Sequence, residues 1–186
     1  MTRCWKICCA TAALASAAAQ PSAQQRYRIK ITIYDLAVHT SSVLYQDDVV
    51  IEAPNWSRAG KSLLVNTGGN LYRLPVNGAG QPKLEKIDLG EAGSRANNDR
   101  DFSRDGKLQA FSASGPASRQ SQVYLAQAEG SRAKLMTPAA PRYFHGWSPD
   151  GKWPAVVGQR DVKFELYRVP ASGGAEQRLT SKGGYL

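Results

Sequence analysis

His145-Gly146-Trp147-Ser148-Pro149-Asp150-Gly151-Lys152 has two counterparts elsewhere in this chain. One is Arg100-Asp101-Phe102-Ser103-Arg104-Asp105-Gly106-Lys107. The other is Ala53-Pro54-Asn55-Trp56-Ser57-Arg58-Ala59-Gly60-Lys61. The aromatic anchors Trp56, Phe102 and Trp147 are spaced by 46 and 45 residues. In Ser148-Pro149-Asp150-Gly151 the proline presets φ at the second turn position, and the glycine tolerates positive φ. The bulky aromatic before each turn is predicted to fill the space between neighbouring sheets, where burial is worth roughly 2–3 kcal/mol.

The recurrence extends beyond the turn. After each Gly-Lys comes an apolar run: Leu63 to Val65, Leu108 to Phe111, and Trp153 to Val157. A strand carrying a tyrosine follows in each copy, at Tyr72, Tyr124 and Tyr167, and these tyrosines read as core or inter-sheet packing. Next come the Gly turns at Asn77-Gly78, Glu129-Gly130 and Ser172-Gly173-Gly174. A short last strand closes each unit, at Leu84 to Leu89, Ala133 to Met136 and Gln177 to Thr180. Segments of about 5–7 residues separated by Gly, Pro, Asn and Asp are strand and turn grammar. No window sustains a helical apolar period. Four short strands repeating at this spacing point to the blades of a β-propeller.

The fold class predicted is therefore all-β: an open, partial β-propeller of three four-stranded antiparallel blades plus a half blade, with no helix after about Ala19. The blades fall at 52–92, 93–139 and 140–186. Ahead of them, Arg28 to Leu36 and Ser42 to Ile51 read as two strands of a half blade over 25–51. Ile29-Lys30-Ile31-Thr32-Ile33 alternates apolar and polar, as a half-buried strand does. Pro154 falls within the second strand of the last copy, where it removes a ladder donor, so that strand is expected to be bulged or weakened.

Residues 1–24 read as a secretory signal peptide. Arg3 and Lys6 precede a 13-residue apolar run, Ile7 to Ala19, which ends in small residues. That run is too short to span a bilayer as a helix. Cleavage after Ala19 or Ala23 fits. Cys4, Cys8 and Cys9 all lie in this segment, so the exported chain would carry no disulfide. Losing Arg3 and Lys6 lowers the net charge from +9 to +7. The Lys and Arg residues are scattered rather than gathered in a stripe, so they read as solvated surface and not as a nucleic-acid interface. Hydrophobic content of 42 % excludes a disordered tail.

The block Trp147 to Lys152, then Leu166-Tyr167-Arg168-Val169-Pro170, Gly173-Gly174 and Arg178-Leu179-Thr180, resembles the TolB-like propeller repeat. It recurs more loosely around Trp56 and Phe102, where Arg58-Ala59 and Arg104-Asp105 replace Pro-Asp. The resemblance spans about Arg28 to Gly184. It implies a periplasmic β-propeller of the kind linked to the Tol system, with an envelope protein as its partner. Family members continue with further blades, so the chain reads as a shortened member. Its open blade faces are expected to favour self-association. The alternatives are the propeller portion of a prolyl oligopeptidase-like peptidase, or a propeller binding sugars or small ligands at its mouth.

Chemistry-bearing residues are few. His39 sits in a predicted turn and His145 beside an anchor, without the converging ligands a metal site needs. Ser148 superficially fits a nucleophile elbow, but Asp150 stands where the pattern wants glycine, and no helix follows. Asp47-Asp48 and Asn97-Asn98-Asp99 lack a calcium loop's alternating oxygen ligands. Gly68-Gly69-Asn70 reads as a tight hairpin rather than a phosphate cradle. No residue is assigned a catalytic, cofactor-binding or metal role, and the chain is expected not to be an enzyme.

Overall fold

The computed structural model describes residues 28–76, 78, 80–115, 119–160 and 162–183; the segment read as a signal peptide, with its cysteines, lies outside the described residues. Among the described residues, fourteen strands form four antiparallel sheets. β1 (Ile29–Asp35) pairs with β2 (Thr40–Asp47) as a two-stranded sheet. The first full blade is β3 (Glu52–Trp56), β4 (Ser62–Thr67), β5 (Asn70–Pro75) and β6 (Glu85–Lys86). The second is β7 (Ala96–Phe102), β8 (Leu108–Ser114), β9 (Ser121–Gln127) and β10 (Lys134–Leu135). The third is β11 (Arg142–Trp147), β12 (Pro154–Arg160), β13 (Lys163–Arg168) and β14 (Gln177–Arg178). In each blade the strands neighbour one another in chain order. This is the all-β, open run of blades read from the repeat.

The recurring turn shows why its residues recur. The Ser57, Ser103 and Ser148 carbonyls each accept the N–H of the following Gly60, Gly106 or Gly151 at 2.9 Å, and those glycines sit at φ of 68°, 71° and 70°. Each serine Oγ accepts the N–H five residues on, from Ser62 (3.1 Å), Leu108 (2.9 Å) and Trp153 (3.0 Å). In blades 2 and 3 the serine hydroxyl also donates to Asp105 or Asp150, whose Oδ1 accepts the Lys107 or Lys152 N–H. Ala59 stands at that position in blade 1. Ala59→Asp is expected to complete the network and stabilise the protein by about 0.5–1.5 kcal/mol, read as a raised urea midpoint. An unchanged or lower midpoint would show that the aspartate adds nothing to the turn.

Strand alternation distributes the core. In β8, Phe111 and Ala113 face blade 1, while Ala110 on the opposite face meets blade 3. In β4, Leu64 faces blade 2, while Leu63 and Val65 meet the half blade. Successive side chains of a strand point to opposite faces, so a central strand clad on both sides is apolar throughout. The seam between blades 1 and 2 is the richer. Leu64, Leu71, Ile87 and Leu89 close on Phe102, Phe111 and Tyr124, with the Phe111 and Tyr124 rings stacked at 5.8 Å. The seam between blades 2 and 3 joins Ala110 and Val123 to Phe144 and Val156, and Phe144 N–H donates to Ser112 Oγ at 2.8 Å.

Four expectations need correction. Phe102 is buried and Trp147 packs on the blade 2–3 core, but Trp56 is 47 % exposed. Trp147 reaches back to the inner strand of the preceding blade, its Nε1 donating to the Asp101 carbonyl at 3.2 Å. Among the described residues the half blade ahead of Trp56 supplies only β1 and β2, so no such strand meets its ring. Pro154 does not bulge β12: it takes the first strand position, and its carbonyl accepts Val169 N–H at 3.0 Å. The irregularity falls instead in the partner β11, between Phe144 and Gly146. A short 3-10 helix, Gly90–Ser94, interrupts the link between blades 1 and 2, where no helix was expected. Finally, not every Arg is solvated: Arg100 and Arg142 are buried.

The Gly68-Gly69 hairpin joins β4 to β5 with both residues at positive φ. Gly69 carbonyl accepts Ala96 N–H at 2.9 Å, tying the hairpin to the start of β7. A Cβ on Gly69 would lie 2.8 Å from the Ser94 carbonyl oxygen. Gly69→Ala is therefore expected to cost about 1–3 kcal/mol and to lower the melting temperature. Wild-type stability in that variant would show that the hairpin can shift freely.

Candidate functional site

The inner strands β3, β7 and β11 converge, with β7 between the other two. Each carries a bulge in the stretch ahead of its anchor aromatic: between Glu52 and Asn55, between Ala96 and Arg100, and between Phe144 and Gly146. A bulge leaves residues unpaired and re-aims their side chains. The residues thrown out are Ala53-Pro54, Asn97-Asn98-Asp99 and His145. Ala53 consequently sits at φ 47°. The structure thus brings Asn97 to Asp99 and His145, separate in sequence, onto neighbouring strands of one polar edge.

Buried polar side chains brace that edge. Arg100, 4 % exposed, donates to the Asn97 carbonyl at 3.2 Å and to the Glu52 and Ala53 carbonyls at 3.0 and 2.6 Å. Desolvation pushes its guanidinium down to about 10. Asn66, 3 % exposed, donates to the Ala96 carbonyl at 3.2 Å and to Asn98 Oδ1 at 3.3 Å. Asn97 Oδ1 accepts Asp99 N–H at 2.9 Å, shaping the bulge. Burial raises the Asp99 carboxyl above its ordinary value, against the pull of His145 and a hydrogen bond from Asn97. Arg100 and Asn66 carried no sequence signal beyond residue type. Only the bulge, which periodicity does not reveal, gives them their partners.

The other sequence candidates lie apart from this edge. His39, in the β1–β2 turn at φ 52°, faces Tyr34 Oη at 3.2 Å. Asp47 accepts the Tyr45 hydroxyl at 2.6 Å, and burial followed by that bond pushes the Tyr45 phenol up to about 12. Asp48 faces Arg28 at 3.4 Å on the surface. Ser148 is held within its turn by Asp150 and Trp153. Among the described residues no three His, Cys, Asp or Glu side chains gather as a metal would need.

Four carboxylates outside the edge, Asp105, Asp150, Glu165 and Glu176, are held below their ordinary range. Serine hydroxyls and then lysine backbone N–H groups do this at Asp105 and Asp150. The Thr180 hydroxyl followed by Arg178 does it at Glu165, and Arg142 does it at Glu176. A carboxylate depressed in the folded state stabilises above its unfolded pKa, and that stabilisation is lost as pH falls through the folded one. Stability is therefore expected to fall once pH drops below about 4. Asp99, shifted the other way, partly offsets the loss. Urea midpoints at neutral and acidic pH check this; a midpoint constant down to about pH 2.5 would contradict it.

No family model matches the chain. An uncharacterized protein of Agrobacterium fabrum is 42 % identical over 153 residues, covering 82 % of this chain and 51 % of the relative. A provisionally assigned TolB structure from Agrobacterium tumefaciens superposes with a TM-score of 0.75 at 40 % identity, covering 85 % of this chain and 55 % of that one. TolB from Acinetobacter baumannii gives 0.63 at 21 % identity over 83 % of this chain and 38 % of its own, a likeness of fold alone. The chain spans about half the length of the relatives it matches. Its three full blades and half blade have the architecture of a TolB-like β-propeller.

Proposed function

We propose that this chain is a non-catalytic, protein-binding scaffold of the cell envelope. It is exported to the periplasm by its leader and contacts a partner of the Tol type through the polar inner edge. The observation that carries this reading is the bulge on each of the three neighbouring inner strands. Asn98 and His145 are exposed there on a backbone fixed from behind by Arg100 and Asn66. Rigid support beneath an exposed polar surface limits the ordering cost of binding. A photo-crosslinking residue at Asn98 in living cells is expected to give adducts with Tol-type envelope proteins, while one at Lys30 on the half blade gives none. No adduct at Asn98, or cytoplasmic protein with Met1 intact, would overturn the reading.

Self-association belongs to the same proposal. Leu71 and Ile87 in blade 1, and Val123 and Met136 in blade 2, pack against the following blade. Their counterparts Leu166 and Leu179 line an open apolar groove, and Leu179 is 50 % exposed. The purified chain is expected to sediment above monomer mass, and Leu166→Lys/Leu179→Lys to bring it back. A wild-type monomer at high micromolar concentration would exclude association through this face.

A further inference from the structure

The two seams between full blades are built to one plan, and at one corresponding place they differ. On the turn side of the first seam, Arg73 of β5 donates to Glu129 at 2.7 Å and to the Ala128 carbonyl at 3.4 Å, crossing from blade 1 to blade 2. Arg58 adds bonds to Asp101 (2.9 Å) and to the Phe102 and Ser103 carbonyls (2.8 and 3.2 Å). Basic and acidic side chains there answer one another.

One blade later the Arg73 position is Leu125, each lying opposite a corresponding β-ladder partner, Leu64 or Ala110. The Glu129 position is Ser172: Ala128 N–H donates to Lys107 carbonyl and Ala171 N–H to Lys152 carbonyl, both at 2.8 Å, which fixes the correspondence. Among the described residues no ion pair crosses here, and the second seam holds a groove of about 470 Å³. Its apolar side includes Leu108, Leu125 and Met136, and its polar rim carries Arg132 and Lys134. No acidic residue lines it. The side chains of Arg132 and Lys134 make no ion pair or hydrogen bond among the described residues; Lys134 is tied to β9 by its backbone alone.

We infer that this groove docks an acidic peptide segment. An apolar side chain of the segment enters between blades 2 and 3, while its carboxylates meet Arg132 and Lys134. Apolar contact supplies affinity, and the unanswered cations supply selection for negative charge. The inference rests on the protein-binding reading but uses a different face from the inner edge, so the two fail separately.

The test uses the purified protein and a fluorescein-labelled acidic peptide with a central Leu-Phe pair flanked by Asp and Glu. A second peptide has those acids replaced by Asn and Gln. The acidic peptide is expected to bind saturably, less tightly as salt rises, and about tenfold or more tighter than the neutral one. Arg132→Glu/Lys134→Glu is expected to lose about tenfold or more in affinity. Leu125→Arg/Ser172→Glu copies the first seam's ion pair into the second and is expected to close the groove, with a similar loss in affinity while the protein still melts cooperatively. Asn98→Ala is expected to bind the peptide as wild type does, which separates this groove from the inner edge. Equal binding to all groove variants, no preference for the acidic peptide, or loss only in Asn98→Ala would overturn the inference. Retention on phosphatidylglycerol vesicles without peptide binding would assign the cations to a lipid surface and overturn it too.

Discussion

Arg142→Ala is expected to destabilise the protein by about 3–5 kcal/mol, the usual cost of breaking a buried ion pair from one side. Arg142 is 1 % exposed. Its Nε and one terminal nitrogen donate to the two oxygens of Glu176 at 3.0 and 2.8 Å, and the other terminal nitrogen donates to the Pro141 carbonyl at 2.9 Å. The guanidinium lies 5.0 Å from the Tyr167 ring centre, and Arg160 also reaches Glu176. One side chain thus joins the first strand of blade 3, its third strand and the approach to its fourth. Arg142→Lys is expected to recover little, because an ammonium cannot present the planar fork. Gly158 makes room for this arrangement: a Cβ there would lie 2.6 Å from Arg142 Cδ. Gly158→Ala should therefore be destabilising in the wild type and much less so beside Arg142→Ala, a non-additivity expected of residues sharing one space. Urea unfolding of the four proteins of that cycle checks the claim. Additive costs would show that Gly158 and Arg142 act independently.

The second large effect belongs to the first seam. Phe111→Ala is expected to cost about 3–5 kcal/mol, because Phe111 is fully buried and stacked on Tyr124. Leu179→Ala, on the open face of blade 3, should change stability by no more than about 0.5 kcal/mol when measured at concentrations that keep the protein monomeric. A comparable loss in both variants would mean that the Leu179 face is covered in solution.

The repeat was legible because turn chemistry is local. Ser, Asp, Gly and Lys each make a bond within five residues, so each leaves its mark on the spacing. The anchor aromatics were legible as residues but not as environments. Trp56 and Trp147 occupy corresponding positions, and what lies across the seam decides which is covered. The inner-strand bulges were not legible, since an extra unpaired residue disturbs a short alternating pattern no more than ordinary variation does. That is why His145 and Asp99, 46 residues apart, could not be read as neighbours. Arg100 and Arg142 were hidden for a related reason. A buried arginine differs from a solvated one only in the carbonyls and carboxylates around it, and here those include groups up to 48 residues away.

The tryptophans give the blades separate optical signatures. Trp56, open to solvent, should emit to the red and be quenched readily by acrylamide. Trp147, with its indole N–H held by Asp101 and its ring edge-on to Phe144 at 6.1 Å, should emit to the blue. Trp153 lies beneath the Arg168 guanidinium at 4.3 Å, a neighbour that draws iodide towards it. Single-tryptophan variants would let the parting of blades 2 and 3 be timed from the Trp147 emission alone, while Trp56 stays silent until blade 1 itself comes apart.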